Sequence, residues 1–124
     1  MPGAILRVVP ILPATDISRS IAFYKLLGFS AREYQGAGGG GGYAFLTRDT
    51  FDIHLYHVDE LAGGGSPSGV YFYLAPGTAA TLEAEFRSAS APILSPLAPR
   101  PWKLNEFVLS DPDGNLLRFG EPTA

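Results

Sequence analysis

The sequence contains no cysteine, one tryptophan, one methionine and two histidines. The absence of cysteine excludes disulfides, thiolate nucleophiles and thiolate metal sites. No apolar run approaches the ~20 residues of a membrane-spanning helix, and the N-terminus lacks the basic start and apolar stretch of a secretion signal. We therefore expect a cytoplasmic protein that does not bind membranes.

Basic residues are also scarce, and they are scattered. Nine Lys and Arg stand against twelve Asp and Glu, for a net charge of −3. Nucleic-acid binding needs clustered cations, so no nucleic-acid partner is expected. The chain has 124 residues, of which 46% are hydrophobic. That length and composition predict a single globular domain over residues 1–124.

The first half of the chain has the pattern of a strand, a helix and three further strands. Pro10 lacks a ladder donor, which places it at an edge, a bulge or a strand end. The glycine-rich run from Gly36 to Gly42 predicts a mobile loop. The expected elements are a strand over Ile5–Leu12, a helix capped by Thr15 or Asp16 and stopped at Gly28, an extended segment over Phe29–Gln35, and strands over Tyr43–Thr47 and Phe51–Val58.

The second half repeats this order after a Gly/Ser/Pro linker over Asp59–Ser68. We expect a strand over Val70–Leu74, a helix capped by Thr78, a proline-rich loop over Pro92–Pro101, and a hairpin of Glu106–Ser110 with Asn115–Phe119 across the turn DPDG. FLTRDTFDIHLY and FVLSDPDGNLLRF occupy matching places, so His54 overlays Arg118 and Val9 overlays Val70. The sequence therefore predicts an α+β domain of two βαβββ modules, at about residues 5–58 and 69–120.

Common catalytic motifs are missing. Pro67 stands where a nucleophile elbow requires serine, and the glycine run lacks the Lys-Ser/Thr of a phosphate loop. Two polar pairs keep alternative interpretations open. Glu106 and Arg118, on neighbouring strands, form either an ion pair or a site in which Glu106 is a free carboxylate that binds a cation or takes a proton. Asp52 and His54 are either an acid/base pair or polar residues that line a wet surface.

The opening ILPATDISRSIAFYKLLGF and the closing EFVLSDPDGNLLRFGE, with the paired modules, resemble the vicinal oxygen chelate superfamily of glyoxalases, extradiol dioxygenases and bleomycin resistance proteins. VVPIL and PWKLNEFVLSDPDGN are most similar to the first strand and the Pro-Trp loop of the bleomycin resistance proteins. The resemblance implies a curved mixed sheet around a cavity.

The resemblance also implies where a metal would bind. Superfamily enzymes take four ligands, drawn from His, Glu and Gln, from the first and last strands of each module. The corresponding positions here are Val9, His54, Val70 and Arg118. Two are aliphatic and one is a permanent cation, and His54 alone does not suffice for a divalent metal. We therefore expect neither a metal nor another cofactor, and a binding protein rather than an enzyme.

The implied function is sequestration of a planar or cationic natural product of the bleomycin type in the groove of a homodimer, with Pro10 near a strand exchanged between subunits. Trp102 lies in a proline-rich loop, where its ring is exposed unless a ligand or a partner subunit covers it. Two alternatives remain: a metal-independent enzyme with Asp52, His54 or Glu106 as base, and a carrier for another secondary metabolite. The ligand-binding residues expected are Trp102, Tyr34, Tyr43, Asp52, His54, Phe72, Glu106 and Arg118.

Overall fold

The computed structural model describes residues 2–36 and 39–123. Within these residues the chain forms eight strands, two α-helices and one short 3-10 helix. In chain order they are β1 (Ile11–Ala14), α1 (Ile17–Leu26), β2 (Ser30–Gly36), β3 (Gly39–Arg48), β4 (Phe51–His57), the 3-10 helix (Ala62–Gly64), β5 (Gly69–Tyr73), α2 (Ala79–Ser88), β6 (Ser95–Pro99), β7 (Leu104–Ser110) and β8 (Leu116–Pro122).

The strands form two four-stranded sheets with the same topology. The first has the order β1-β4-β3-β2 and the second the order β5-β8-β7-β6. In each sheet the first strand pairs in parallel with the last, and the other pairs are antiparallel. The predicted α+β fold of two βαβββ modules is confirmed, and we call them the first module (β1 to β4) and the second module (β5 to β8).

The two helices begin differently. Asp16 caps α1, because its carboxylate accepts a hydrogen bond from the backbone N–H of Arg19 at 3.0 Å. Gly28 follows α1 with a φ of 83°, a left-handed conformation that favours glycine at a helix end. Thr78 precedes α2 but makes no side-chain cap, since its hydroxyl donates to the Ala75 carbonyl instead. Each helix has ten residues, and none in the described part of the chain is long and apolar enough to cross a membrane.

Three of the predicted boundaries are wrong. The first strand begins at Ile11, and residues 2–10 form no regular element. Pro10 precedes it, and its carbonyl accepts from the His54 N–H at 2.9 Å, a bond that needs no donor from proline. The glycine run is not a loop throughout, because β2 extends to Gly36 and β3 starts at Gly39, and these two residues pair. Residues 37 and 38 of the predicted loop lie outside the described residues.

The proline-rich segment is the third correction, because residues 95–99 form β6. This strand lies at the edge of its sheet and pairs only with β7. An edge strand tolerates proline, since one side of its ladder needs no backbone donor. Pro96 and Pro99 are therefore compatible with this edge strand, although the number of prolines predicts a loop.

A buried polar cluster joins the two modules. The turn between β7 and β8 carries Asp111, Asp113 and Asn115, all of them buried. The Tyr24 hydroxyl of α1 donates to Asp111 at 2.8 Å, and burial together with the Asp111 charge raises the pKa of Tyr24. The Asn115 side chain donates to Asp111 at 2.7 Å and to the Pro13 carbonyl at 3.0 Å. Buried hydrogen bonds thus connect the β7–β8 turn of the second module to α1 and β1 of the first.

Candidate functional site

The outer face of the second sheet, away from α2, carries a cluster of polar side chains around Trp102. Val108 pairs with Arg118 and Glu106 pairs with Gly120, so these residues share one side of the sheet. The loop between β6 and β7 brings Trp102 to the same side. Together they enclose the Trp102 cavity, of about 220 Å³, which is lined by Leu94, Ser95, Arg100, Trp102, Glu106, Val108, Leu116 and Arg118.

The turn between β6 and β7 exposes the Trp102 ring on the surface of the domain. The Arg100 N–H donates to the Leu104 carbonyl at 2.8 Å, and Lys103 adopts a left-handed φ of 66°. These two features close a tight turn with Pro101 and Trp102 at its tip. The Trp102 side chain is 56% exposed and forms one wall of the cavity. A large ring in this position offers one face for a flat molecule to stack on.

Glu106 lies at the base of the cavity and is only 2% exposed. Its carboxylate is 3.7 Å from Arg118 Nη1 and 3.8 Å from Arg100 Nε. Glu106 is therefore an ion-paired group, as the first of its two interpretations had it, and not a free carboxylate. Two guanidinium groups around one carboxylate leave the cavity with an excess of positive charge, and the Arg118 side chain remains 44% exposed.

Tyr71 of β5 lies beside this ion pair, because it is the register partner of Arg118. Its hydroxyl is buried and has no hydrogen-bond partner among the described residues. Burial and the adjacent Glu106 carboxylate raise the pKa of Tyr71 to about 12. A Cβ at Gly120 would collide with the Tyr71 side chain, which would have to move. The phenol thus stays protonated near neutral pH.

The outer face of the first sheet carries an aromatic group of its own. The Tyr43 hydroxyl is 2.8 Å from His54 Nδ1, and the Phe45 and His54 rings pack edge to face at 4.9 Å. The Arg32 guanidinium covers Phe45 at 4.3 Å. Tyr34 is half exposed, at the register shift in the pairing of β2 with β3.

Asp52 is not the partner of His54. Its carboxylate accepts from the Thr47 hydroxyl at 2.7 Å and pairs with Arg7 Nη1 at 2.7 Å. Within the described residues no hydrogen bond or ion pair joins Asp52 to His54. The geometry therefore favours the interpretation of polar residues on a surface over an acid/base pair.

The register of β5 corrects the expected place of Phe72. Val70 and Phe72 pair with Leu117 and Phe119 on the face that packs toward α2, and the Phe72 and Phe119 rings stack at 4.5 Å. Phe72 is thus separated by the sheet from Trp102. The residue of β5 on the same side of the sheet as Arg118 is Tyr71, one position along.

The same register corrects the equivalence of Val9 and Val70. His54 pairs with Ile11, and its counterpart Arg118 pairs with Tyr71. Counting back one residue on each strand, Pro10 corresponds to Val70. In the described ranges 2–36 and 39–123, no three His, Cys, Asp or Glu side chains could hold an ion together.

Three of the eight predicted site residues, Trp102, Glu106 and Arg118, come together in one cavity. Tyr43 and His54 meet on the other sheet, Asp52 lies near its end and Tyr34 stands apart. Phe72 lies on the α2 side of the second sheet. Sequence reasoning missed Arg100 and Tyr71. Arg100 lies two residues before Trp102 in the same turn, and Tyr71 alternates with Val70, so both positions carried a usable signal.

Comparison with known proteins identifies one matching family and several solved structures of similar fold. Residues 4–119 match the model of the glyoxalase/bleomycin resistance protein/dioxygenase superfamily. The fold is similar to a bleomycin resistance determinant encoded on the transposon Tn5 (TM-score 0.77, 23% identity, covering 95% of this chain and 98% of that one). It is also similar to a bleomycin-binding protein complexed with bleomycin (0.74, 24%, 93% and 97%) and to TioX from Micromonospora sp. ML1 (0.72, 24%, 92% and 96%). Comparison with curated protein sequences gives no match.

Proposed function

Because this chain belongs to the glyoxalase/bleomycin resistance protein/dioxygenase superfamily, we propose that it sequesters a planar natural product of the bleomycin type without chemical turnover. The observation that carries the proposal is the half-exposed indole of Trp102 beside the cavity that holds Glu106 and Arg118. The complex of a similar fold with bleomycin supports this class of ligand.

The chemistry of the Trp102 cavity defines how such a ligand would sit. A heteroaromatic ring stacks on Trp102 and contacts the apolar side chains of Leu94, Val108 and Leu116. The Arg118 guanidinium, whose side chain is 44% exposed, donates to carbonyl or amide oxygens of the ligand. Glu106 is already paired with two arginines. The cationic tail of the ligand would therefore meet another carboxylate, such as that of Asp59, which is fully exposed and 3.9 Å from His57 Nδ1.

A second subunit would complete the site. The Trp102 cavity, at about 220 Å³, is smaller than the ~300–1,000 Å³ that pockets for drug-sized ligands occupy. The aromatic face of the first sheet, with Tyr43, Phe45 and His54, can form the opposite wall when it belongs to a partner. The proposal is therefore a groove between two copies of the chain.

The N-terminal segment supports dimer formation. Ile5, Leu6 and Val8 are 87%, 96% and 85% exposed, an unusual concentration of apolar surface for an isolated chain. Strands β1 and β5 also lie at sheet edges, and a partner can cover both the edges and the apolar segment. The family resemblance would place an exchanged strand here, next to Pro10.

We expect a dimer by analytical ultracentrifugation at micromolar protein. The double variant Ile5→Asp, Leu6→Asp should shift the protein toward monomer, because charged side chains oppose burial of this segment. Leu26→Asp, on the exposed end of α1, is the matched control and should sediment as the wild type does. A wild-type monomer throughout this range would contradict the proposed groove.

Binding without metal is the second expectation of the proposal. In the described ranges 2–36 and 39–123, no three His, Cys, Asp or Glu side chains could hold an ion together, and the Arg118 cation repels a metal. The purified protein should contain less than stoichiometric Zn, Ni, Mn or Fe, and EDTA should change neither its melting temperature nor its ligand affinity. Elemental analysis that finds about one such ion per chain would overturn this expectation.

Two other functions compete with sequestration. A metal-independent enzyme of the superfamily would need a free base, whereas Asp52, His54 and Glu106 each have a side-chain partner. A carrier of another secondary metabolite would use the same cavity with a different ligand. To distinguish the enzyme from the two binding proteins, the ligand is released after incubation and analysed by chromatography. An enzyme would return a chemically altered compound, whereas either binding protein would return the ligand unchanged.

The proposed function is tested by a thermal-shift panel of DNA-damaging and DNA-intercalating antibiotics. A ligand that binds only the native state stabilises it by about 2.7 kcal/mol at a hundredfold excess over Kd, which raises the melting temperature by several degrees. Bleomycin-type compounds should produce this shift in the wild type and a smaller one in Trp102→Ala. No shift with any member of the panel would count against the proposal.

A further inference from the structure

We propose a second, separate ligand site: a cavity on the helix side of the molecule that accepts a neutral, apolar, ring-containing small molecule. This helix-side cavity lies between the β3–β4 turn of the first module and strand β5 with helix α2 of the second. Its volume is about 600 Å³, within the ~300–1,000 Å³ that pockets for small molecules occupy. Among the described residues, it shares no lining residue with the Trp102 cavity.

The cavity exists because the two modules meet unequally. On one side, the long turn of the second module reaches α1, where Asp111 binds Tyr24 and fills the space between them. On the equivalent side, the β3–β4 turn is only the two residues Asp49 and Thr50. There the Arg48 side chain bridges to α2, through Glu85 at 2.7 Å. The space behind this bridge stays open.

The walls of the cavity are aromatic and aliphatic. Phe72 and Phe119 stack at 4.5 Å with an interplanar angle of 7°, and Phe86 packs edge-on against Phe119 at 5.3 Å. Phe51 closes one end, 6.0 Å from Phe72. Val70 and Leu82 are only partly buried although they pack against the core. Covering this apolar surface with a ring or an alkyl group of a ligand therefore favours binding.

Charge at the rim determines the class of ligand. Arg48 is paired with Glu85 through two hydrogen bonds, at 2.7 and 3.3 Å, and with Asp49 at 3.6 Å. Asp52 is paired with Arg7 at 2.7 Å. Every charged group that lines the cavity thus has a protein partner. A charged ligand would have to break one of these pairs after losing its own hydration, whereas a neutral one would not.

Titration with the neutral fluorescent amine N-phenyl-1-naphthylamine tests this site. We expect saturable binding of one molecule per chain in the micromolar range. Thr81→Phe, at the exposed mouth of the cavity, should weaken it at least about tenfold, because the new ring takes up part of the volume. Ala84→Phe adds the same ring to another exposed position of α2 and should bind as the wild type does. Should Thr81→Phe fail to fold, Thr81→Leu should give a smaller loss of affinity.

A substitution that weakens binding at one site should leave binding at the other site unchanged. Trp102→Ala should leave the amine affinity unchanged, and Thr81→Phe should leave bleomycin binding unchanged. The inference is overturned if the folded wild type shows no saturable binding, or if Thr81→Phe and Ala84→Phe bind alike. It is also overturned if the affinity falls as the protein concentration rises, since the N-terminal segment of a second copy would then be the occupant.

Discussion

Replacing Asp111 with alanine is expected to lower the free energy of unfolding by about 3–5 kcal/mol. The Asp111 carboxylate accepts hydrogen bonds from the Tyr24 hydroxyl, the Asn115 side chain, and the backbone N–H groups of Asp113 and Asn115. All of these groups are buried, so the variant leaves several donors without a partner or water. The loss should appear as a lower urea midpoint with an unchanged slope.

Asp59→Ala is the matched control for this variant, because the Asp59 side chain is fully exposed. It should change the free energy of unfolding by less than about 0.5 kcal/mol. Asp111→Asn keeps an acceptor oxygen and should fall between the two. Equal midpoints for Asp111→Ala and Asp59→Ala would show that the buried polar cluster does not hold the modules together.

The topology was predictable because strands and helices leave different periods in a sequence. Alternation in Phe51–His57, the glycine stop at Gly28 and the DPDG turn each indicate one local structure. The repeat of the same order in both halves then fixes the architecture, since each module buries its helix face on its own sheet. These signals are local, and the structure agrees with them.

Strand boundaries were less predictable because they depend on neighbouring strands. The glycines of β2 and β3 have weak strand propensity, but the hairpin pairs them. Proline in β6 is tolerated because this strand is at an edge. Residues 5–10 have the composition of a strand but pair with no strand in the part of the chain that the structure describes. Tertiary context decided all three cases.

The grouping of Trp102, Glu106 and Arg118 followed from alternation in a predicted hairpin. Phe72 was misplaced because side chains along a strand point to opposite faces in turn. An equivalence that is off by one residue therefore exchanges the two faces of β5. Only the observed pairing of Tyr71 with Arg118 settles which face lines the cavity.

Removal of the Trp102 ring is expected to have the largest effect on ligand binding. Stacking of a heteroaromatic ring on an aromatic side chain is worth roughly 1–3 kcal/mol, which corresponds to as much as about a hundredfold in affinity. Calorimetry of Trp102→Ala with bleomycin should show binding at least about tenfold weaker than that of the wild type. Trp102→Phe, which keeps a ring, should recover part of the affinity. Tyr73→Ala, which removes an exposed ring outside the Trp102 cavity, should change it little.

The most direct test of sequestration uses the single tryptophan of the chain. Its emission reports on the loop of the proposed site alone, so no other residue complicates the signal. Titration of the wild type with bleomycin or phleomycin should quench this emission to saturation near one ligand per subunit. The cationic contribution to the affinity should weaken as salt rises. Emission that is unchanged at high micromolar drug, together with no heat in calorimetry, would contradict bleomycin-type binding and favour the metal-independent enzyme.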